Sequence, residues 1–454
     1  MRFIIAGAGA VGTHLSKLLA GERHDITLID ESQAKLDGVG GNIDIMTYCA
    51  SPLSIRALRE ADVAKADVFI AVMPDEARNM TCCMLAARIS TKADGRRTLR
   101  TVARVDNEEY TAEEHQHFFS SAGIDSLIYP EMLAGKEIVH NILRTWVRNW
   151  WDFGGGALVL LSVKVRAGAP ILDHPLMEIC RPESPFHIVA MKRGGDTLIP
   201  HGHDIVQDGD IVFVMTKPKY VEHIREIAGK EQYPDVDNVF IMGGTNTALH
   251  IAKNAPHYMR CKIFETDYAR SERLQDLLAD TNVMVIHGDG RDPDLLREEN
   301  VDRAQAFVAT TDNAETNILA CLAAKRMGIR KTVAMVENTD YIPMAESLDI
   351  GSIINKKTFV AGHIYQMMLR ADVTSMKSLT IAKADVAEIR VPEGARITRR
   401  PVKDLGLPAT VNLGGLIRDG KGVLINGGTQ IQAGDTVVAF CLENEIKRIE
   451  KFFK

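Results

Sequence analysis

The chain has 454 residues, 46% hydrophobic and 25% charged, which suits a globular protein of roughly two to four domains, and its net charge of −6 gives no positive field that would favour nucleic acid as a partner. Seven cysteines without a CxxC pair, and without a Cys/His cluster at ligand spacing, favour a reducing cytoplasm and predict no metal site. The longest apolar stretches, such as ALVLLSV at 157–163, fall short of the ~20 residues that cross a bilayer, so no membrane span is expected.

The first element, RFIIAGAGAVG, is a short apolar strand that leads into a glycine turn and then a helix. Gly7 permits the tight turn, Gly9 lets a pyrophosphate approach the backbone, and Gly12 allows close packing of helix on strand. The next strand, DITLID, ends in Asp30, whose carboxylate can bind ribose hydroxyls and would repel a 2′-phosphate. The motif therefore predicts a site for NAD(H) or an adenine nucleotide, with the phosphates at the helix N-terminus. A relic turn that binds nothing is the alternative.

Strands alternate with helices up to about residue 150, which is typical of a doubly wound parallel sheet. From about residue 157 the pattern changes to short strands separated by Gly, Pro and Asp turns. Between the two patterns, RTWVRNWWDF is interpreted as a helix with Trp146 and Trp150 on one face, packed at the junction of the two units.

The whole pattern then occurs a second time. FIIAGAGAVGTHL is matched by FIMGGTNTALHI, LREADVAKADVFIAV by LREENVDRAQAFVAT, and TVARVDNEEY by TVAMVENTDY, which begins 231 positions later. The order of elements is kept, which indicates a tandem duplication. We predict an α/β fold with two tandem Rossmann-like, doubly wound parallel-sheet domains at residues 1–150 and 236–375. A small β-rich α+β domain follows each of them, at residues 151–230 and 376–454.

The second glycine turn has lost part of the motif. Gly243 is kept, but Thr245 and Ala248 replace the second and third glycines, and Glu265 takes the acidic place. Alanine at the third place is tolerated, whereas threonine puts a side chain where phosphate should approach. The second half nevertheless keeps a GDG sequence after its third strand. Nucleotide binding in the second half is therefore left open.

Arg104 is the second difference between the copies. It lies at the carboxyl edge of the predicted first sheet, where an arginine can reach a phosphate, and Met335 replaces it in the second copy. A surface arginine in an ion pair is the plainer interpretation of the same residue.

A dinucleotide motif first suggests an NAD-dependent oxidoreductase. Such an enzyme needs a substrate domain with a proton-transferring group near the nicotinamide. Here a small β-rich unit and a second copy follow instead, and the sequence shows no Ser/Tyr/Lys or His/Asp constellation with catalytic spacing. A duplicated, partly decayed nucleotide fold favours a sensor over an enzyme, and its repetition suits a ring or a paired assembly. The oxidoreductase remains an alternative hypothesis.

With these motifs and their second copies, the chain resembles the TrkA family, the peripheral subunits of Trk potassium-uptake systems, which hold two tandem regulator-of-conductance-of-potassium (RCK) modules. The resemblance covers nearly all of the chain and rests on GAGAVG with Asp30, LREADVAKADVFIAV, TVARVDNEEY, the crossover-type segment after GIDSLIYPE, and IPHGHDIVQDGD. It implies a cytoplasmic homo-tetrameric ring, peripheral on the inner face of the membrane beneath a TrkH-like potassium channel or transporter subunit. It also implies that NAD(H) and ATP/ADP bind the clefts and shift the ring between conformations. A related regulator of potassium efflux or antiport stays open, because direction belongs to the partner.

The resemblance further implies which residues line the two clefts. In the first half these are Gly7, Ala8, Gly9, Ala10, Val11 and Gly12 for phosphates, Asp30 for ribose, and Met73, Pro74 and Arg104 at the cleft edge. The matching residues of the second half are Gly243, Gly244, Thr245, Asn246, Thr247, Glu265 and Thr311. Two departures from the family pattern matter: Thr245 weakens the second site, and MPDEARN brings a proline to the edge of the first.

Overall fold

The computed structural model describes residues 1–21, 24–40, 43–368, 373–379, 384–442, 448–449 and 451–454. Within these residues the chain forms four sheets in succession, a six-stranded and then a five-stranded sheet in each half. The six-stranded sheets are parallel and the five-stranded sheets are antiparallel. The predicted fold class, two tandem Rossmann-like units each followed by a small β-rich unit, is confirmed.

The first parallel unit has both faces covered. Its elements are β1 (Arg2–Ala6), α1 (Ala10–Gly21), β2 (Asp25–Asp30), α2 (Gln33–Gly40), β3 (Met46–Cys49), α3 (Ile55–Glu60), β4 (Val68–Ala71), α4 (Glu76–Ser90), β5 (Arg100–Arg104), α5 (Gln116–Ser121), β6 (Ser126–Ile128) and α6 (Pro130–Ile142). The strand order is β3-β2-β1-β4-β5-β6. Phe3 and Ile5 join the core on one face of the sheet, and Ile4 and Ala6 join the core on the other. Burial on both faces explains why β1 is a continuous apolar run.

The first small unit follows directly. Its elements are β7 (Asn149–Phe153), β8 (Leu158–Lys164), α7 (Leu176–Ile179), β9 (Phe186–Arg193), β10 (Asp196–Leu198), β11 (Ile211–Thr216) and α8 (Val221–Ile227), with strand order β10-β9-β11-β8-β7. The predicted helix through RTWVRNWWDF is wrong, because Trp150 lies in strand β7 while Trp146 is buried in the core of this unit. Helix α6 ends before these residues, and large aromatic side chains pack well on a half-buried strand.

The second half repeats both units. Its elements are β12 (Asn238–Met242), α9 (Asn246–Asn254), β13 (Arg260–Glu265), α10 (Tyr268–Leu277), β14 (Val283–His287), α11 (Pro293–Glu298), β15 (Ala306–Ala309), α12 (Ala314–Arg326), β16 (Lys331–Met335), α13 (Ile342–Ser347), β17 (Ser352–Ile354), α14 (Lys356–Met368), β18 (Val373–Leu379), β19 (Ala384–Arg390), β20 (Val411–Arg418), β21 (Lys421–Leu424) and β22 (Thr436–Leu442). The parallel order β14-β13-β12-β15-β16-β17 matches that of the first half strand for strand. The antiparallel order is β18-β19-β22-β20-β21.

The two parallel units exchange their last helices. Helix α6 of the first half packs on α9 of the second, where Ile138 and Ile251 share one core. Helix α14 of the second half packs on α1 of the first, where Ile364 and Leu15 share another. The structure thus confirms a crossover at the segment after GIDSLIYPE. Each parallel sheet is covered on one face by a helix from the other copy, so the halves cannot separate without exposing two cores.

The two antiparallel sheets also pack together. Phe213 of β11 lies against Phe440 of β22, with ring centroids 5.8 Å apart. Around this pair the first sheet contributes Phe153, Leu158, Leu160, Val189 and Met215, and the second contributes Ala384, Val386 and Val438. The two halves therefore share cores at the exchanged helices and between the antiparallel sheets. A movement of one parallel unit is coupled to the other half through these shared cores.

Candidate nucleotide cleft between the two halves

The turn between β1 and α1 requires glycine at two places. Gly7 has a φ of +110°, a conformation that side chains disfavour. A Cβ on Gly12 would lie 2.0 Å from the carbonyl oxygen of Gly7, so α1 can approach the strand only without a side chain there. A Cβ on Gly9 would meet no protein atom within 4 Å. Gly9 therefore faces open space, where a phosphate can approach the backbone at the start of α1.

Asp30 braces this turn from the end of β2. Its Oδ2 accepts a hydrogen bond from the backbone N–H of Ala8 at 2.7 Å, and its Oδ1 accepts one from the N–H of Ser32 at 2.8 Å. A carboxylate offers about four lone-pair positions, so acceptor capacity remains for ribose hydroxyls. The residue predicted to bind ribose therefore also fixes the backbone that would carry the phosphates.

The glycine turn faces the second half of the chain across a cavity of about 590 Å³. The first half lines it with Ala8, Gly9, Ala10, Thr13, His14 and Lys17, and the second half with Asp312, Asn313, Glu315, Glu337, Asn338, Tyr341 and Lys357. This volume lies within the range of pockets that bind small molecules and cofactors. Of the residues predicted for the first cleft, Ala8, Gly9 and Ala10 line this cavity, and the second copy supplies its opposite wall, which the motif alone does not indicate.

Two walls of the cavity carry different electrostatic features. On the first wall, burial and the neighbouring Lys17 lower the pKa of His14, so its ring is neutral near pH 7. Nε2 of His14 has no hydrogen-bond partner among the described residues, and a buried polar atom of this kind calls for a ligand or a water. On the second wall, burial disfavours ionisation of Glu337, but Lys356 and Lys357 lower its pKa overall. The cavity thus presents two lysines, three carboxylates and a free ring nitrogen to a ligand.

The remaining predicted residues of the first half surround the turn unequally. Val11 and Gly12 form the first turn of α1 together with Ala10. Met73 is buried directly behind Gly7, whereas Pro74 is exposed. Arg104 ends β5 and pairs with Asp106 at 3.0 Å, the ion-pair geometry that was the plainer interpretation of this residue.

Asn79 is a buried residue that positions the cleft edge and that the motif did not reveal. Its side-chain amide accepts from the N–H of Met73 at 2.8 Å and donates to the carbonyls of Met73 and Arg104, so it ties the end of β4 to the end of β5. Asn317 makes the same three bonds in the second half, to Thr311 and Met335. The signal was present in the sequence, because MPDEARN and TTDNAETN both end in this asparagine.

In the second glycine turn, side chains of the protein occupy the place that is open in the first turn. Gly243 keeps a positive φ of +96°, and the N–H of Gly244 donates to Oε2 of the buried Glu265 at 2.8 Å. The hydroxyl of Thr245 accepts from the N–H of Ala248 at 3.3 Å and so caps helix α9, which begins with Asn246 and Thr247. A helix N-terminus that is capped by its own side chain has fewer free N–H groups for phosphate.

The second cleft is also smaller and contains basic groups that sequence reasoning missed. Gly243, Thr245, Glu265 and Thr311 do come together, around a cavity of about 290 Å³. Arg270 lies 3.6 Å from Glu265, and Arg291 pairs with Asp289 at 2.7 Å. Both arginines are already paired with carboxylates of the protein at the edge of this cavity.

No group of three or more His, Cys, Asp or Glu side chains in the described part of the chain is arranged to hold a metal ion. Likewise, none of the helices within the described ranges is long and apolar enough to cross a membrane.

The fold defines the class of protein. Two parallel units with glycine turns, each joined to a small antiparallel unit, match the architecture of RCK modules. The solved "GsuK RCK domain" aligns over 100% of this chain and 94% of its own length with a TM-score of 0.59 at 15% identity. The "GsuK channel bound to NAD" aligns over 100% of this chain and 78% of that one, with a TM-score of 0.59 at 14% identity. At this identity the likeness shows the fold.

The TrkA-N domain matches residues 3–130 and 239–356, and the TrkA-C domain matches residues 160–229 and 386–454. The chain therefore belongs to the TrkA family. The "Trk system potassium uptake protein TrkA" of Azorhizobium caulinodans is 27% identical over 466 residues, covering 100% of this chain and 99% of the relative. The protein of the same name from Haemophilus influenzae is 29% identical over 465 residues, with the same coverage.

Proposed function

We propose that the chain is a cytoplasmic regulatory subunit of a potassium-uptake system, peripheral on the inner face of the membrane. It acts as part of a homo-tetrameric ring that gates a TrkH-like membrane subunit, and it does so without catalysing a reaction. NAD(H), ATP or ADP occupies the first cleft, with its phosphates on the turn from Gly7 to Gly12 and its ribose on Asp30. The names of the relatives support uptake, and an RCK channel solved with NAD supports the choice of nucleotide.

The cavity shared between the halves carries this proposal. A ligand shifts a conformational equilibrium only through different affinities for the two states. A nucleotide on the glycine turn would contact Asn313 and Lys357 across the cavity, so its affinity depends on the distance between the halves. Because α6 and α14 are exchanged between the copies, a change in that distance also moves the packed helices. The cleft is thus suited to convert nucleotide binding into relative movement.

Asp30→Ala is expected to weaken NADH binding about 10- to 100-fold. The substitution removes charged hydrogen bonds, worth about 1.5–3 kcal/mol, and the brace on the N–H of Ala8. Isothermal titration calorimetry with NADH and with ATP measures the effect. Asp25→Ala, an exposed acid at the other end of β2, is the matched control and should bind like the wild type. An Asp30→Ala protein that binds both nucleotides with wild-type affinity would remove the site from the first cleft.

The membrane partner is tested by purification from detergent-solubilised membranes of the native host. We expect a multi-pass potassium transporter to come with the tagged chain, and NADH to change potassium flux through the complex in vesicles. A flux response to NADH that persists in Asp30→Ala would show that gating does not depend on the first cleft. A chain that arrives alone at several salt concentrations, and that steadily oxidises NADH with a small substrate, would bring the oxidoreductase hypothesis forward.

A further inference from the structure

A second large cavity lies at the opposite edge of the second parallel sheet. Lys331 begins β16 and Ser352 begins β17, so the amino ends of these strands form its floor, whereas the nucleotide clefts lie at the carboxyl ends. Residues 145–148 before the first small unit, and Lys230, Gln232 and Tyr233 after it, form its walls. Its volume is about 510 Å³, within the range of small-molecule sites.

The lining of this cavity is strongly basic. Among the described residues that line it, seven side chains are cationic and one, that of Asp349, is a carboxylate. The cations are Arg148, Lys164, Arg166, Lys230, Lys325, Arg330 and Lys331. They come from four segments far apart in sequence, so the fold gathers positive charge at one place.

Asp349 cannot balance these cations. Arg148 and Arg166 both pair with its carboxylate, and Lys164 and Lys325 lie 3.0 and 3.8 Å from it. Four cations therefore share one carboxylate.

The other three cations are held by neutral groups. Lys331 is 4% exposed and donates to the carbonyls of Val147 and Arg148 at 2.6 and 3.1 Å and to the Ser352 hydroxyl. Lys230 and Arg330 lie over the ring of Tyr233, 4.8 Å from its centroid. Burial, and secondly Arg148, lowers the pKa of Lys331 to about 7. Loss of a proton or binding of an anion would relieve this excess charge.

At the same edge of the first sheet, the place of Lys331 is taken by the exposed Arg100, and the nearby arginine has a carboxylate of its own. There Arg97 pairs with Asp125 at 2.5 Å, and Asp125 also accepts from the N–H of Thr101. The excess of positive charge is therefore a property of the second copy and its linkers, not of the repeated fold.

We propose that this cavity binds a small molecule that bears two or more phosphate groups. Arginine forks match phosphate oxygens bidentately, and a chain of phosphates can contact cations on both walls at once, which one carboxylate cannot. The site would hold residues of the linkers and of the second parallel unit together. Its ligand would thus act on the junction of the two halves independently of the nucleotide cleft.

The test is calorimetric titration of sodium tripolyphosphate into the full chain, saturated with NADH and held at constant ionic strength. We expect saturable binding, and at least a tenfold loss of affinity in the double variant Arg166→Gln/Arg330→Gln. Both arginines are exposed at the rim, so their replacement leaves the buried groups in place. Arg326→Gln, an exposed cation on the same helix as Lys325 that does not line the cavity, should bind like the wild type. Equal thermal midpoints of all variants would show that folding is intact.

Three results would overturn the proposal. They are the absence of saturable heat in the NADH-saturated chain, an unchanged affinity in the double variant, and an equal loss of affinity in Arg326→Gln. Citrate that binds as tightly as tripolyphosphate would overturn the phosphate class. Binding to phosphatidylglycerol vesicles through the same arginines, without affinity for tripolyphosphate, would assign the surface to the membrane instead.

Discussion

Replacing Gly12 with alanine is expected to reduce the affinity for NADH by up to about 100-fold. The new Cβ would lie 2.0 Å from the carbonyl oxygen of Gly7, so helix α1 or the turn must move away. Overpacking of this kind costs about 1–3 kcal/mol, and about 1.4 kcal/mol corresponds to a tenfold change in affinity. Because the turn also presents its N–H groups to the phosphates, the same displacement removes the binding geometry. Titration calorimetry with NADH and a thermal unfolding curve measure the two effects.

Substitutions of two other glycines separate the effect on folding from the effect on phosphate binding. Gly38→Ala places a methyl group in helix α2 where no atom lies within 4 Å, so stability should stay equal or rise slightly and affinity should be unchanged. Gly9→Ala also meets no protein atom, so the protein should fold normally, but the methyl group occupies the space beside the turn and should weaken NADH binding. Wild-type affinity in Gly9→Ala would mean that phosphate does not approach this backbone.

The tandem fold is predictable because its signals are local and occur twice. A strand buried on both faces, such as β1, is a continuous apolar run, and the glycine turn after it fixes where the helix starts. Asp30 is predictable for the same reason, since its place at the end of β2 follows from the spacing to Gly12. Because the same pattern occurs in the second copy, each strand and helix predicted in one half is supported by its counterpart in the other.

The cleft is harder to predict, because its walls come from residues that are distant in sequence. The pattern of α6 shows that it has an apolar face, but not that α9 of the other copy covers it. Sequence reasoning predicted that the Thr245 side chain lies where phosphate should approach, but its role as a helix cap depends on the local backbone. Trp150 was misassigned because an aromatic pair at a spacing of four fits a helix as well as a strand.

Asp349→Asn is expected to give the largest loss of stability, about 3–5 kcal/mol at pH 7. One carboxylate holds Arg148, Lys164 and Arg166 of the first half against the second half, and its removal leaves these cations facing each other without a counter-charge. Asp349 has a φ of +52°, which asparagine also adopts, so the substitution changes charge without changing the backbone. Denaturation in urea at pH 7 measures the difference in free energy of unfolding.

The pH dependence identifies the cause. Partial burial opposes ionisation of Asp349, yet Arg148 and Lys164 hold its pKa well below the usual range. A carboxyl whose folded pKa is depressed contributes its full stability above the unfolded pKa of about 4, and loses it as the pH falls toward the folded pKa. The difference in free energy of unfolding between wild type and Asp349→Asn should therefore be constant from pH 7 to about 5 and shrink below about 4.

The matched control is Asp419→Asn. Asp419 is an exposed aspartate with a φ of +51°, and its substitution should change stability by no more than about 0.5 kcal/mol. A gap that is equally small in both variants would mean that Asp349 does not join the halves.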